Sequence, residues 1–145
     1  VKPVCCDTSF LYSLYSQDMH SARAAHLVRT LSRPITLSPL NVYELEHSLR
    51  FAFWRKLIPE IQASGCLSSF KGDIATGRLL LMPCDLNDIV LEGQRLCATH
   101  TIGGGHRAFD VLHVAAALFL DAGEFLSFDI NQRKLAAKEG LKINK

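Results

Sequence analysis

Five short apolar runs, separated by helix-patterned segments, predict an α/β domain in which a parallel sheet carries helices on both faces. Two further observations support this class. The spacing between runs is long enough for helical crossovers, as parallel strands require. Acidic residues stand beside or just past several apolar runs, and ligands of open parallel sheets bind beyond the carboxyl ends of the strands. The 145 residues fit a single domain, 1–145, and a chain of this size buries roughly 68–70% of its unfolded surface.

Lys2 to Cys6 reads as the first buried strand. Asp7-Thr8-Ser9 supplies a helix cap, and FLYSLYS begins the helix. Asp18 is expected to cap the next helix, MHSARAAHLVRTL, whose apolar stripe includes Ala24, Leu27, Val28 and Leu31. Arg33-Pro34 breaks it, and Ile35-Thr36-Leu37 forms the second strand. Ser38 then suits the N-cap and Pro39 the first helical position. Val42, Leu45, Leu49, Ala52 and Phe53 make an apolar face, with Glu44 and His47 on a neighbouring one.

Pro59 ends or kinks that helix. Glu60 to Thr76 reads as helical only in parts. After Gly77, RLLLMP is the third strand, and Asp85 or Asn87 opens a helix through Cys97. The glycines at 103–105 read as a flexible loop. Phe109 to Leu120 is the strongest helix, with Leu112, Ala115, Ala116 and Phe119 on one face and Gly123 as its closure. Glu124 to Phe128 is a buried strand. Gln132 to Lys138 is the last helix, and LKI after Gly140 is a short edge strand.

Composition excludes some classes. Hydrophobic residues make up 48% and charged residues 21%, which suits a globular chain and not a disordered one. Sixteen Lys+Arg against 14 Asp+Glu give a net charge of +2, which neither requires nor forbids a nucleic-acid partner. The five cysteines are odd in number and contain no CxxC pair, against a disulfide scaffold or a structural zinc site. Cys5 and Cys6 read as buried small hydrophobes in a reduced setting. No apolar stretch reaches the ~18 residues of a membrane span. The first ten residues lack a signal-peptide layout, so a cytoplasmic location is expected. Val1 stands where an initiator has been removed or lies upstream.

Asp7, Glu44, Asp110 and Asp129 can meet at one rim of the sheet. Converging carboxylates repel each other and raise one another's pKa, so they call for a counter-charge. A hard divalent cation with oxygen ligands and phosphate partners supplies it, which points to phosphodiester chemistry. Each acid also has a plainer reading. Asp7 and Asp129 suit caps, Asp110 suits a first helical turn, and Glu44 suits a solvated face.

Thr8 and Ser9 can hydrogen-bond a carboxylate, a water or a phosphate, or simply cap the helix. Ser127 can turn toward the same rim, and Gln132 can bond either loop backbone or substrate. Around Asp110, Arg107 can contact phosphate and His113 can brace the acid, although a satisfied, half-buried histidine is the simpler role. The glycines before His106 lack the GxGxxG spacing of a phosphate loop, and no HExxH is present. Arg23, Arg29 and Arg33, or Arg50, Arg55 and Lys56, can serve as backbone-contacting groups for RNA or as ordinary surface.

At these residues the chain resembles PIN domains, specifically the VapC-type ribonuclease toxins of toxin–antitoxin pairs. The resemblance runs from CDTS (Asp7, Thr8, Ser9) through SPLNVYELE (Glu44) and GHRAFDVLHVAAAL (Asp110) to FLSFDINQRKLAAKEGL (Asp129). It implies a three-layer α/β/α sandwich. It also implies Mg²⁺ or Mn²⁺ held by Asp7, Glu44, Asp110 and Asp129, and matches Thr8-Ser9 to the family's hydroxyl pair. Thr8, and Ser127 by its place before Asp129, are taken as further catalytic residues. The implied activity is RNA cleavage, and the implied partners are a second copy of the chain and a cognate antitoxin. The competing readings are an RNA- or partner-binding module with little catalysis, and a small phosphatase.

Overall fold

The computed structural model describes residues 1–144. Its sheet has five parallel strands: β1 (Val4–Cys6), β2 (Ile35–Leu37), β3 (Leu79–Leu81), β4 (Glu124–Leu126) and β5 (Lys142–Ile143). Their spatial order is β3-β2-β1-β4-β5. From β1 the chain builds outward to β2 and β3, then crosses back and adds β4 on the other side of β1. The reversal leaves a crevice beyond the carboxyl ends of β1 and β4, the place where open α/β sheets bind ligands. The β1–β4 pairing runs Val4 with Glu124 to Cys6 with Leu126, and Asp7 N–H extends it by donating to Leu126 O at 3.0 Å.

Alternation along the strands makes two cores. Val4, Cys6, Ile35, Leu37 and Leu126 face one side, packed by helices α1 (Thr8–Tyr15), α2 (Ser21–Thr30), α3 (Pro39–Trp54) and α4 (Glu60–Ala75). Cys5 and Phe125 face the other, packed by α5 (Leu86–Leu96), α7 (Ala108–Phe119) and α8 (Ile130–Lys138). The result is the expected three-layer α/β/α, PIN-like sandwich. The cysteines are free, and burial pushes the Cys5 thiol up to about 12, so it behaves as a small hydrophobe. Among the described residues no helix is long and apolar enough to cross a membrane.

Several expectations need correction. The segment read as helical only in parts is one helix, α4. It buries Ala63, Cys66, Leu67 and Phe70 at helical spacing, while the serines and glycines between them obscure the stripe. The glycine run is not a flexible loop. From α5 the helix continues through a π-helical turn, Cys97–Thr101, into α6 (Ile102–Gly104), and stops where Gly105 turns left-handed at φ 64°. Asp18 does not cap α2, whose N-cap is His20; its Oδ1 accepts from His20 N at 2.8 Å and so holds the preceding turn. Helix α7 closes at Asp121, with φ 56°, and not at Gly123. Gly123 stands at a close approach instead, where a Cβ would lie 3.0 Å from Lys2 Cβ and Lys2 would have to shift to admit it. The first and fourth strands end earlier or start later than expected, so Ser127 and Phe128 lie in the turn after β4.

Candidate functional site

Asp7, Glu44, Asp110 and Asp129 all line one open cleft of about 630 Å³ at the carboxyl ends of β1 and β4. The capping roles and the cleft-facing roles coincide. Asp7 is the N-cap of α1; its Oδ2 accepts from Ser9 N at 3.3 Å and from the Ser9 hydroxyl. Asp129 is the N-cap of α8 and accepts from Gln132 N at 2.7 Å. Asp110 sits in the first turn of α7, and Glu44 in the second turn of α3. Three of the four acids therefore stand near helix N-termini, where backbone N–H groups and the helix dipole favour negative charge.

One cation is set among them. Arg107 Nε donates to Asp110 Oδ2 at 2.9 Å, and its Nη2 lies 3.5 Å from Asp129 Oδ2. Even so, the Asp110 carboxyl is held above its ordinary range. Burial raises it, Arg107 pulls it back, and the charges of Asp7 and Asp129 push it up again. Burial also pushes Glu44 up, but hydrogen bonds from His113 and Thr8, with His47 nearby, outweigh that and hold it below its usual value. Five carboxylates, with Asp18 as the fifth, line the cleft beside one guanidinium, and oxygen donors of this kind suit a hard divalent cation. Of the four predicted acids, Asp7 and Glu44 lie within ligand distance of one another, while Asp110 and Asp129 stand further apart and are bridged by Arg107.

His113 does not brace Asp110. It is buried, and Nε2 lies 3.0 Å from Glu44 Oε1, 3.1 Å from Thr8 Oγ1 and 3.8 Å from Asp7 Oδ1. Donor atoms of Asp7, Glu44 and His113 fall within 4.8 Å of one another, which by distance alone suits a metal ligand set. The other ring nitrogen decides otherwise. Nδ1 is buried without a hydrogen-bond partner. If Nε2 ligated a cation, the proton would move to Nδ1, which faces no acceptor, and the N–H donated to Glu44 would be lost. Metal-bound histidines nearly always donate that second N–H to an acceptor. Carboxylates accept only, so the proton belongs on Nε2, donated to Glu44. His113 thus orients Glu44.

Asn41 escaped the sequence reading. It is buried, and its Oδ1 accepts from Ser38 N at 3.0 Å. Its Nδ2 donates to Cys6 O at 3.2 Å and Thr8 Oγ1 at 3.4 Å. One side chain thus caps α3, which carries Glu44, and ties it to the end of β1, which carries Asp7. The available signal was a polar residue three positions after Ser38, the capping-box position.

Thr8 lines the cleft, whereas Ser127 is not among the residues that do. The Ser127 hydroxyl donates to Gln132 Oε1 at 2.6 Å and accepts from Asp129 N at 3.1 Å. Gln132, also buried, passes the connection on by donating to Asp110 O at 3.1 Å. This pair joins the Asp129 turn to the Asp110 helix. Ser9 bonds Asp7, and His106 packs over Gly104, away from the cleft lining. Neither basic group lines the cleft: Arg33 borders a groove beside Gly123 and Glu124, and Arg50 pairs with Glu46 at 3.4 Å.

No family model and no curated protein matches the sequence. Solved structures share its fold. VapBC2 from Rickettsia felis, solved bound to a DNA fragment from its promoter, superimposes with a TM-score of 0.63 at 16% identity; the match covers 97% of this chain and 96% of that one. FitAcB from Neisseria gonorrhoeae gives a TM-score of 0.65 at 15% identity, over 98% and 96% of the two chains.

Proposed function

We propose that this chain is a PIN-domain endoribonuclease of the VapC type, dependent on Mg²⁺ or Mn²⁺ and acting as the toxin of a toxin–antitoxin pair. The observation that carries the reading is the gathering of Asp7, Glu44, Asp110 and Asp129 on one cleft at the sheet's reversal point. The fold likeness and the ordered motifs support it. Asp7, Glu44, Asp110 and Asp129 would hold the cation. When bound, the cation supplies Lewis acidity toward the scissile phosphate and an attacking water. Thr8 and His113 fix Glu44, Asn41 fixes the strand end under Asp7, and Ser127 with Gln132 fixes Asp129. Arg107, whose side chain is 76% exposed, is free to leave Asp110 and meet a phosphate oxygen.

A homodimer is supported by apolar side chains exposed along β3 and α5, namely Leu80, Leu81, Leu86, Val90 and Leu91. A cognate antitoxin is supported by the motif resemblance and the VapBC2 likeness. One observation favours a second reading, an RNA- or partner-binding module with little catalysis: Arg107 bridges Asp110 and Asp129, offsetting part of the charge that a cation would offset. Cleavage of labelled RNAs in Mg²⁺, Mn²⁺ and EDTA separates the two. Metal-restored cleavage that Asp110→Asn abolishes is the expected result. Metal-independent RNA binding with no turnover would select the module.

A further inference from the structure

Among the described residues, Arg107 is the one Lys or Arg on the lining of the acidic cleft. The basic clusters of α2 and α3 lie elsewhere. Within the cleft, grip on an RNA strand beyond Arg107 and a bound cation has to come from contacts to its bases. The same cleft has an aromatic wall. Phe10, fully buried in α1, stacks on Phe128 with ring centroids 5.3 Å apart and planes at 21°. His20 stacks on Phe128 in turn, at 4.4 Å and 8°. The column runs from the core into the cleft, where Phe128 and His20 stand beside Asp129 and Asp7.

The core does not account for its outer member. His20 is the N-cap of α2, yet its side chain makes no capping hydrogen bond. His20 is half-buried and is not part of the first apolar core. A flat, polarisable ring stacked on Phe128, which itself stacks on Phe10, is the kind of surface on which nucleobases stack, independently of sequence. Only an unpaired base can reach it, because stacked duplex bases present no free face.

We infer that the Phe10–Phe128–His20 column is a seat for one unpaired nucleobase of the RNA, adjacent to the acidic centre. This rests on the ribonuclease reading above. The seat would restrict cleavage to single-stranded segments and place the neighbouring phosphate over the carboxylates.

The test compares wild type, His20→Ala and His20→Trp. Dissociation constants and kcat/KM are measured on fluorescein-labelled single-stranded RNAs of mixed sequence, intact or abasic at one scanned position. Mn²⁺ affinity by calorimetry and thermal melts are followed alongside. His20→Ala is expected to weaken binding roughly 5- to 100-fold, with Mn²⁺ affinity unchanged and His20→Trp retaining the wild-type level. One abasic position should erase the difference between wild type and His20→Ala. Equal RNA binding by those two proteins overturns the seat and leaves the column for a side chain of a protein partner. So does a loss that every abasic RNA shows alike. Failure of the wild type to bind any RNA overturns the ribonuclease reading instead, and the seat with it.

Discussion

Replacing Asn41 with alanine is expected to damage both stability and the acidic centre, although Asn41 is not one of the acids. The side chain satisfies two buried backbone groups, Ser38 N–H at 3.0 Å and Cys6 C=O at 3.2 Å. Alanine reaches neither, and the site is too buried for water to substitute freely. A buried polar group left unpaired costs ~1–3 kcal/mol, and partial relaxation brings two of them to about 2–4 kcal/mol. For a chain of this length that lowers Tm by roughly 6–12 °C. Urea melts of wild type and Asn41→Ala measure the loss directly. Asn41→Asp tests the mechanism: it keeps an acceptor for Ser38 N–H but sets a carboxylate oxygen against Cys6 O, so it should be no better than alanine. A loss below ~0.5 kcal/mol for Asn41→Ala would refute the reasoning, since it would mean that these two bonds contribute nothing net.

Three further predictions concern charge. Asp110→Asn should abolish cleavage yet stabilise the metal-free protein near neutral pH. Its folded carboxyl lies above the unfolded value, so the penalty is absent below the unfolded value, grows between the two, and is full above the folded one; thermal melts across pH should show the gain of the variant vanishing in acid. His113→Leu should weaken Mn²⁺ binding about 10-fold by calorimetry, while His113→Gln, which can place an N–H near Nε2, should recover most of it. Full recovery by leucine would remove the Glu44-orienting role. Glu139 is held below its usual range by Arg95 and His100, so it contributes stability that is present above the unfolded value and lost as pH falls through the folded one. Glu139→Gln should cost roughly 0.5–1 kcal/mol at pH 7 in urea melts, and little below the folded value.

Local patterning carried most of the architecture. The apolar runs, the Ser38-Pro39 start and the stripe of α7 are short-range signals, because strand and helix periodicities place each side chain relative to its own backbone. The four acids could be picked out for a related reason: each stands at a strand end or early in a helix, and those are the points that an α/β sheet gathers at one rim. Where the signal was weak, competing chemistry lay on the same element. The serines and glycines of α4 interrupt its stripe, and a glycine run reads as a loop although helix propagation carries Gly103 and Gly104 into α6.

Contacts between distant residues were beyond that reach. The sequence offered His113 as a brace for Asp110, three residues away on the same helix, or more simply as a satisfied, half-buried histidine; its partner, Glu44, lies 69 positions earlier in the chain. Asn41 looks like an ordinary polar residue until β1 is laid beside α3. The stacking of His20 on Phe128 joins two turns that share no sequence pattern. Chain periodicity sets which face a side chain occupies. Packing of one element on another sets what that side chain finds there, and hydrogen-bond partners, tautomers and shifted carboxyls all depend on the second.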